Sequence, residues 1–218
     1  MPPFLDPDAA HPMRFPDGRL NEGLVHLNRV IDHPNVQVGD FTYASSFDPP
    51  ADWAARLAPY LYPGAPERLR IGRFGQIADG VKFITASANH PMRGLSTYPF
   101  AIFDHARVGD YIDQIGGLPD TVVGHDAWLG DGAVLLPGAR LGNGVIVGAR
   151  AVVAGVVPDY AVVAGNPARV IRMRFDAQTV ARLNALAWWD WPIERIDAAT
   201  GVLAEADIAA LERIAAGT

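Results

Sequence analysis

The chain contains no cysteine and a single lysine, Lys82, among its 218 residues. The first absence excludes a disulfide framework, a thiolate nucleophile and any cysteine-ligated zinc. The second excludes a phosphate-binding loop of the form GxxxxGK[ST], because Lys82 sits in "GVKFIT", which lacks that glycine framework. Basic surface is also scarce. Lys and Arg number 18 against 24 Asp and Glu, a formal charge of −6, which argues against a general nucleic-acid binder. Long apolar runs are missing, and none approaches the roughly 20 residues that a membrane span needs. The opening "MPPFLDPDAA" has neither the basic region nor the apolar stretch of a leader. A cytoplasmic, soluble protein is the expectation.

Hydrophobic residues make up 50% of the chain, which excludes disorder as a whole, and 218 residues suit one domain with a terminal appendage. Gly 22 and Pro 18 are many for a helical protein and favour short strands with frequent corners. The corners come at a fixed interval. Val123, Leu129, Leu135, Leu141, Val147 and Val153 stand six residues apart. Two places before each are Thr121, Ala127, Ala133, Ala139, Val145 and Ala151, all small or β-branched. Directly after come Gly124, Gly130, Leu136, Gly142, Gly148 and Ala154. Neither a helix nor a simple strand produces this period.

This is a hexapeptide repeat, and it resembles the left-handed parallel β-helix of hexapeptide acyltransferases. In that architecture the aliphatic and small positions both face inward, and each coil buries its apolar face only by stacking on its neighbours. The glycines after the aliphatics are expected to serve the turns through left-handed φ. A shorter run, Ile71-Gly72, Ile77-Ala78 and Phe83-Ile84, keeps the same spacing, and "NVQVGDFTY" reads as an entering coil. The next aliphatic is due at position 89, where Asn89 stands, followed by His90, and the count resumes at Val123. The coil is therefore expected to carry two excursions, at about 45–68 and about 90–120; excursions of that length are usually functional or disordered.

The expected fold is mainly β: a β-helix over 1–175, a protruding loop, and a C-terminal helical segment over 176–218. Val180, Leu183 and Leu186 space out like a helix with Asp176 as its N-terminal cap. "GVLAEADIAALERIAAGT" reads as one more helix, and a helix can cover the open end of a solenoid. Trp188, Trp189 and Trp191 are expected to pack the C-terminal helix onto the coil.

"IGRFGQIADGVKFITASANHPMRGLSTYPF" closely resembles the segment around the catalytic histidine of xenobiotic acetyltransferases, the streptogramin A (virginiamycin-type) and type B chloramphenicol enzymes. The resemblance continues in "HPNVQVGDFTY", "VVGHDAWLGDGAVLLPGARLGNGVIVGARAVV", "VVPDYAVVAGNPARVIRMRF" and "AWWDWP", and runs from about Phe15 to Pro192. It implies a homotrimer that binds acetyl-CoA in a groove between subunits and acetylates a hydroxyl of a small-molecule acceptor. His90 is then the general base. Such a base suits the chemistry, because a hydroxyl attacks a thioester well only as its proton is removed. Pro91 biases His90 toward extended backbone.

The resemblance also places Tyr43 and Tyr62 at the acceptor. It places Trp128, Gly148, Ala149, Gly165, Arg169, Arg172 and Arg174 along acetyl-CoA, the arginines being suited to phosphates by their fork geometry. No metal is expected. Trimeric β-helices of the gamma-type carbonic anhydrases hold zinc with three histidines, and His90, His125 and His105 are the residues that reading would need. His11, His26 and His33 read as surface or structural. The excursion segments "FDPPADWAARLAP" and "AIFDHARVGDYIDQIGGLPD" depart from the family pattern, so an endogenous sugar or envelope metabolite stands as an alternative acceptor. A non-catalytic ligand-binding trimer stands as an alternative class.

Overall fold

A computed structural model describes residues 6–117 and 119–217. Residues 1–5, where the leader reading begins, and Leu118 of the second excursion lie outside the described residues. Strands sort into three sheets that the chain visits in rotation. The first face holds Val36–Val38, Leu69–Ile71, Thr121–Val123, Arg140–Leu141 and Val156–Val157. The second holds Leu24–His26, Tyr43–Ser45, Gln76–Ile77, Trp128–Leu129, Ile146–Val147, Ala161–Gly165 and Ala168–Met173. The third holds Lys82–Phe83, Val134–Leu135 and Val152–Val153.

Successive coils pair in parallel. Val123 is in register with Leu141, Leu129 with Val147, and Leu135 with Val153, each eighteen residues on. Three six-residue sides thus make one coil, and "NVQVGDFTY" supplies the entering strands. The six repeat aliphatics are at most 3% exposed and the small positions at most 1%, so both columns face inward. Each buried Leu or Val contributes roughly 1.5–3 kcal/mol relative to exposure, and only the stacked neighbours make that burial possible.

The turn chemistry differs from expectation. Left-handed φ falls three places after most of the aliphatics, at Phe41, Phe74, Gly80, Asp126, Gly132, Gly138, Gly144 and Arg150, and two places after Val153, at Gly155. Gly124, Gly130, Gly142 and Gly148 are not left-handed. Gly124 is required by close approach instead: a Cβ there would lie 2.6 Å from the Gly142 carbonyl carbon and 2.7 Å from Asn143 N.

Arg70 pairs with Val122, 52 positions on, and Gln37 with Arg70, 33 positions on. Against a coil of eighteen these intervals carry 34 and 15 additional residues, which are the two excursions. A short helix, α1 (Leu27–Val30), precedes them. The first contains α2 (Trp53–Leu57), whose N-terminal Asp52 accepts from Ala55 N–H at 2.9 Å. Lys82, the single lysine, donates to the Arg56 carbonyl of α2 and fastens this excursion to the third face. The second contains α3 (Asp110–Ile115).

Asp176 caps α4 (Ala177–Leu186) by accepting from Thr179 N–H at 2.7 Å. The remainder forms two helices where one was expected: α5 (Ile193–Glu205) and α6 (Ile208–Ala216). Ala206 turns left-handed, and Asp207 accepts from Ala210 N–H to start α6. The ends of the second face are closed by antiparallel strands, Leu24–His26 at one and Ala168–Met173 at the other, where a covering helix was expected. The helical segment packs along the side, on the corner between the first and second faces. There Phe41 stacks on Phe74, Phe74 meets Trp188, and Trp189 stacks on His125 with rings 5.1 Å apart and 3° from parallel. Trp188 and Trp189 therefore take the packing role expected of them, while Trp191 donates to the Leu186 carbonyl within the helical segment.

Two glycine substitutions separate crowding from chain entropy. Gly124→Ala is expected to destabilise by about 1–3 kcal/mol through overpacking. Gly201→Ala, in α5 with no atom within 4 Å of its added Cβ, is expected to stabilise by about 0.5–1 kcal/mol. Denaturant unfolding of both variants checks the opposite signs.

Candidate active site

The coil persists to Ile84, whose N–H donates to the Leu135 carbonyl. The exit comes earlier than position 89. Thr85 is still buried, and a 3-10 turn over Ala86–Ala88 carries the chain outward, with Asn89 N–H returning to the Ala86 carbonyl. Asn89 is extended (φ −70, ψ 152), and His90 follows, exposed. Its Nδ1 lies 3.1 Å from the Thr97 carbonyl oxygen. A carbonyl only accepts, so this contact puts the proton of the neutral ring on Nδ1 and leaves the Nε2 lone pair open.

The neighbourhood contains a residue that sequence reasoning missed. Tyr111 of α3 donates its hydroxyl to the Asn89 carbonyl at 2.7 Å. Burial, with the nearby Tyr62 adding to it, pushes the Tyr111 phenol up, so it remains a donor. Its only sequence signal is its place in the second excursion. Tyr62, itself exposed, is thereby brought to the same side of the molecule as His90.

A second group of candidates lies on the second face. Tyr43 is in register with Gln76, Gln76 with Trp128, Trp128 with Ile146, Ile146 with Val162, and Val162 with Arg172. The alternate residues Ala44, Ile77, Leu129, Val147 and Val163 point inward and are buried. The row itself therefore faces out, and Trp128 is 49% exposed. Gly148 and Ala149 follow the Ile146–Val147 strand; a Cβ on Gly148 would come within 3.1 Å of Ala164 Cβ. Gly165 ends its strand with φ +97 and pairs with Ala168.

The three arginines separate by position. Arg169 and Arg172 are exposed on Ala168–Met173, donate only to the neighbouring Ala168 and Met173 carbonyls, and meet no carboxylate among the described residues. Arg174 turns to the corner between the first and second faces. It donates to the Gly144 carbonyl at 2.7 Å, pairs with Asp126 at 3.4 Å, and lies over the Tyr160 and Phe175 rings. Its guanidinium is held within the fold.

His125 is also held. Its Nδ1 accepts from Arg73 N–H at 3.0 Å, and its ring stacks on Trp189. His26 is 4% exposed beside Phe41, and His105 is exposed in the second excursion. No three His, Cys, Asp or Glu side chains converge as metal ligands among the described residues. No helix among them is long and apolar enough to cross a membrane.

Residues 120–155 match the family model described as bacterial transferase hexapeptide (six repeats). The chain is 38% identical over 194 residues to a chloramphenicol acetyltransferase of Agrobacterium fabrum, covering 87% of this chain and 91% of that protein. It is 36% identical over 202 residues to a chloramphenicol acetyltransferase of Escherichia coli, covering 88% and 93%. A virginiamycin A acetyltransferase of Staphylococcus aureus is 34% identical over 198 residues, 88% of each chain.

The docking of the helical segment gives a pH dependence. Burial holds the His125 and His26 imidazoles below the ordinary histidine range, so the neutral forms belong to the folded state. Their stabilising contribution is full above about pH 6.5 and is lost as pH falls toward the depressed folded values. Stability should therefore decline on acidification from pH 7. His125→Asn, which keeps an acceptor for Arg73 N–H without titrating, should flatten that decline in denaturant unfolding at stepped pH.

Proposed function

The chain belongs to the acetyltransferase family of the chloramphenicol and virginiamycin A enzymes, and from that premise we propose that it moves an acetyl group from acetyl-CoA to a hydroxyl of a xenobiotic of that kind. His90 is the general base. The observation that carries this role is the Nδ1 contact with the Thr97 carbonyl, which leaves Nε2 open at the exposed exit from the coil. In the step, the acceptor oxygen attacks the thioester carbonyl as its proton passes to Nε2. The tetrahedral intermediate then expels the CoA thiolate, which takes that proton back from the imidazolium.

The outward row supports an acetyl-CoA track. Its five strand spacings from Tyr43 to Arg172 span about 24 Å at about 4.8 Å each. Trp128 stands within the row and would flank the acetyl or pantetheine end. Gly148 and Ala149 present a low corner beside it, and Gly165 lets the backbone approach the cofactor. Arg172, with Arg169 near it, offers phosphates two guanidinium groups that no carboxylate among the described residues engages. Tyr43 and Tyr62 take the acceptor. We read Arg174 as a clamp of the fold in place of a phosphate ligand, because Asp126 and the Gly144 carbonyl already engage it.

The proposed assembly draws its support from where these groups lie. His90 leaves from the corner between the third and first faces, whereas the row lies on the second face, opposite that corner. One chain presents base and track on different sides, and a neighbouring copy brings them together. This supports a homotrimer of left-handed β-helices with sites between subunits. We further propose a soluble, cytoplasmic protein whose β-helix domain gives way to the helical segment at Asp176.

Thiol release from acetyl-CoA with chloramphenicol, virginiamycin A and a panel of sugar hydroxyls tests the reaction. His90→Ala is expected to lower kcat by roughly 10²–10⁴-fold; equal turnover by variant and wild type would remove the base assignment. If no acceptor releases CoA and acetyl-CoA does not bind, a non-catalytic binding role replaces the enzymatic one. Arg172→Ala is expected to raise KM for acetyl-CoA about tenfold, the loss of one charge-assisted phosphate contact, with kcat nearly unchanged. An unchanged KM would move the phosphates off this row.

A further inference from the structure

We propose that Glu67 is a positioning residue for His90, a role that rests on His90 being the base. Glu67 is 0% exposed and no cationic side chain among the described residues reaches it. Its Oε1 accepts from Ser87 N–H at 2.6 Å, and its Oε2 is buried without a partner. Thr85 Oγ1, Ser87 Oγ and Thr121 Oγ1 are likewise buried and unpartnered. Pairing brings these residues to one corner: Leu69 is in register with Thr121, and Thr121 N–H donates to the Arg68 carbonyl. Glu67 therefore stands where the first excursion rejoins the coil and the second leaves and returns.

A carboxylate removed from water is costly, and an apolar side chain of similar volume is often as stable or more so. The ladder does not need this acid, because Leu69 N–H already donates to the Asn35 carbonyl. What Glu67 supplies is an acceptor for a turn. The leading N–H groups of a 3-10 turn have no partner inside it. Ser87 N–H is one of these, and the turn is the one that presents Asn89 and His90. Two residues on, Tyr111 grips the Asn89 carbonyl from the other excursion. The backbone leading to His90 is thus held from both sides, and the ring is then fixed by the Thr97 carbonyl.

Glu67→Met removes the acceptor while nearly preserving volume, and Glu67→Gln keeps an acceptor oxygen. The Met variant is expected to remain folded, with kcat reduced about tenfold to hundredfold by misplacement of the base and KM for acetyl-CoA little changed. The Gln variant should keep most of the wild-type rate. Nitrogen-15 shifts of the His90 imidazole, assigned by comparison with His90→Ala, should show one tautomer in wild type and Gln and an averaged ring in Met. Wild-type kcat and an ordered ring in a folded Met variant would overturn the proposal, as would a Gln variant that falls as far as Met. Should the Met variant not fold, exchange of the Ser87 amide in the wild type decides: slow exchange supports the buried contact, and rapid exchange overturns it. Should the wild type release no CoA from acetyl-CoA with any acceptor, the enzymatic reading fails, while the imidazole and amide signals still judge Glu67.

Discussion

The hydrogen bonds that close this coil run from one turn of backbone to the next, and they form only if successive turns lie in contact. That requirement explains the two kinds of glycine. Gly72, Gly124 and Gly142 form a column in which each Cβ would strike the next coil. Gly132 and Gly144 take the left-handed conformation that turns each corner. The same constraint aligns the corners into columns. Phe41, Phe74, Asp126, Gly144 and Tyr160 are all left-handed and occupy one edge. The helical segment uses that edge as its docking rail. Phe74 receives Trp188, His125 receives Trp189, and Arg174 ties Asp126, Gly144 and Tyr160 together.

Periodicity made the coil readable in the amino-acid sequence. An inward residue has the same environment every six positions, so the requirement for an aliphatic repeats and accumulates into a signal. The corners were harder to read because several left-handed positions carry Phe74, Asp126 or Arg150 in place of glycine. The glycines that do recur most visibly answer a packing demand. Break points were legible for the same reason as the coil: a failed count at Asn89 betrays an exit, although the exit itself begins at Ala86.

The candidate site was legible only where it follows a local motif or the period. His90 and Trp128 sit in motifs, and the row through Tyr43, Trp128 and Arg172 follows once register is known. Tyr111 and Glu67 were invisible because their partners, Asn89 and Ser87, lie 22 and 20 residues away across excursions that obey no period. The arginines illustrate the limit differently. Arg169, Arg172 and Arg174 share one short run of sequence, and only the edge of the sheet separates the exposed pair from the clamp.

A solenoid tolerates insertion at a corner because the coils above and below still hold their neighbours in register. Inserting two excursions near one corner has a further consequence. The groups that fix the backbone before His90 are buried at the roots, as Glu67 is, or partly covered, as Tyr111 is. The outer part of the second excursion is apolar and exposed, with Leu95, Phe100 and Phe103 among its residues. On the proposed function, those exposed side chains meet the acceptor and the roots hold the base. Acceptor preference can then change by replacing surface residues that bear no part of the base's support. Departure of these segments from the family pattern is compatible with an unchanged reaction at His90.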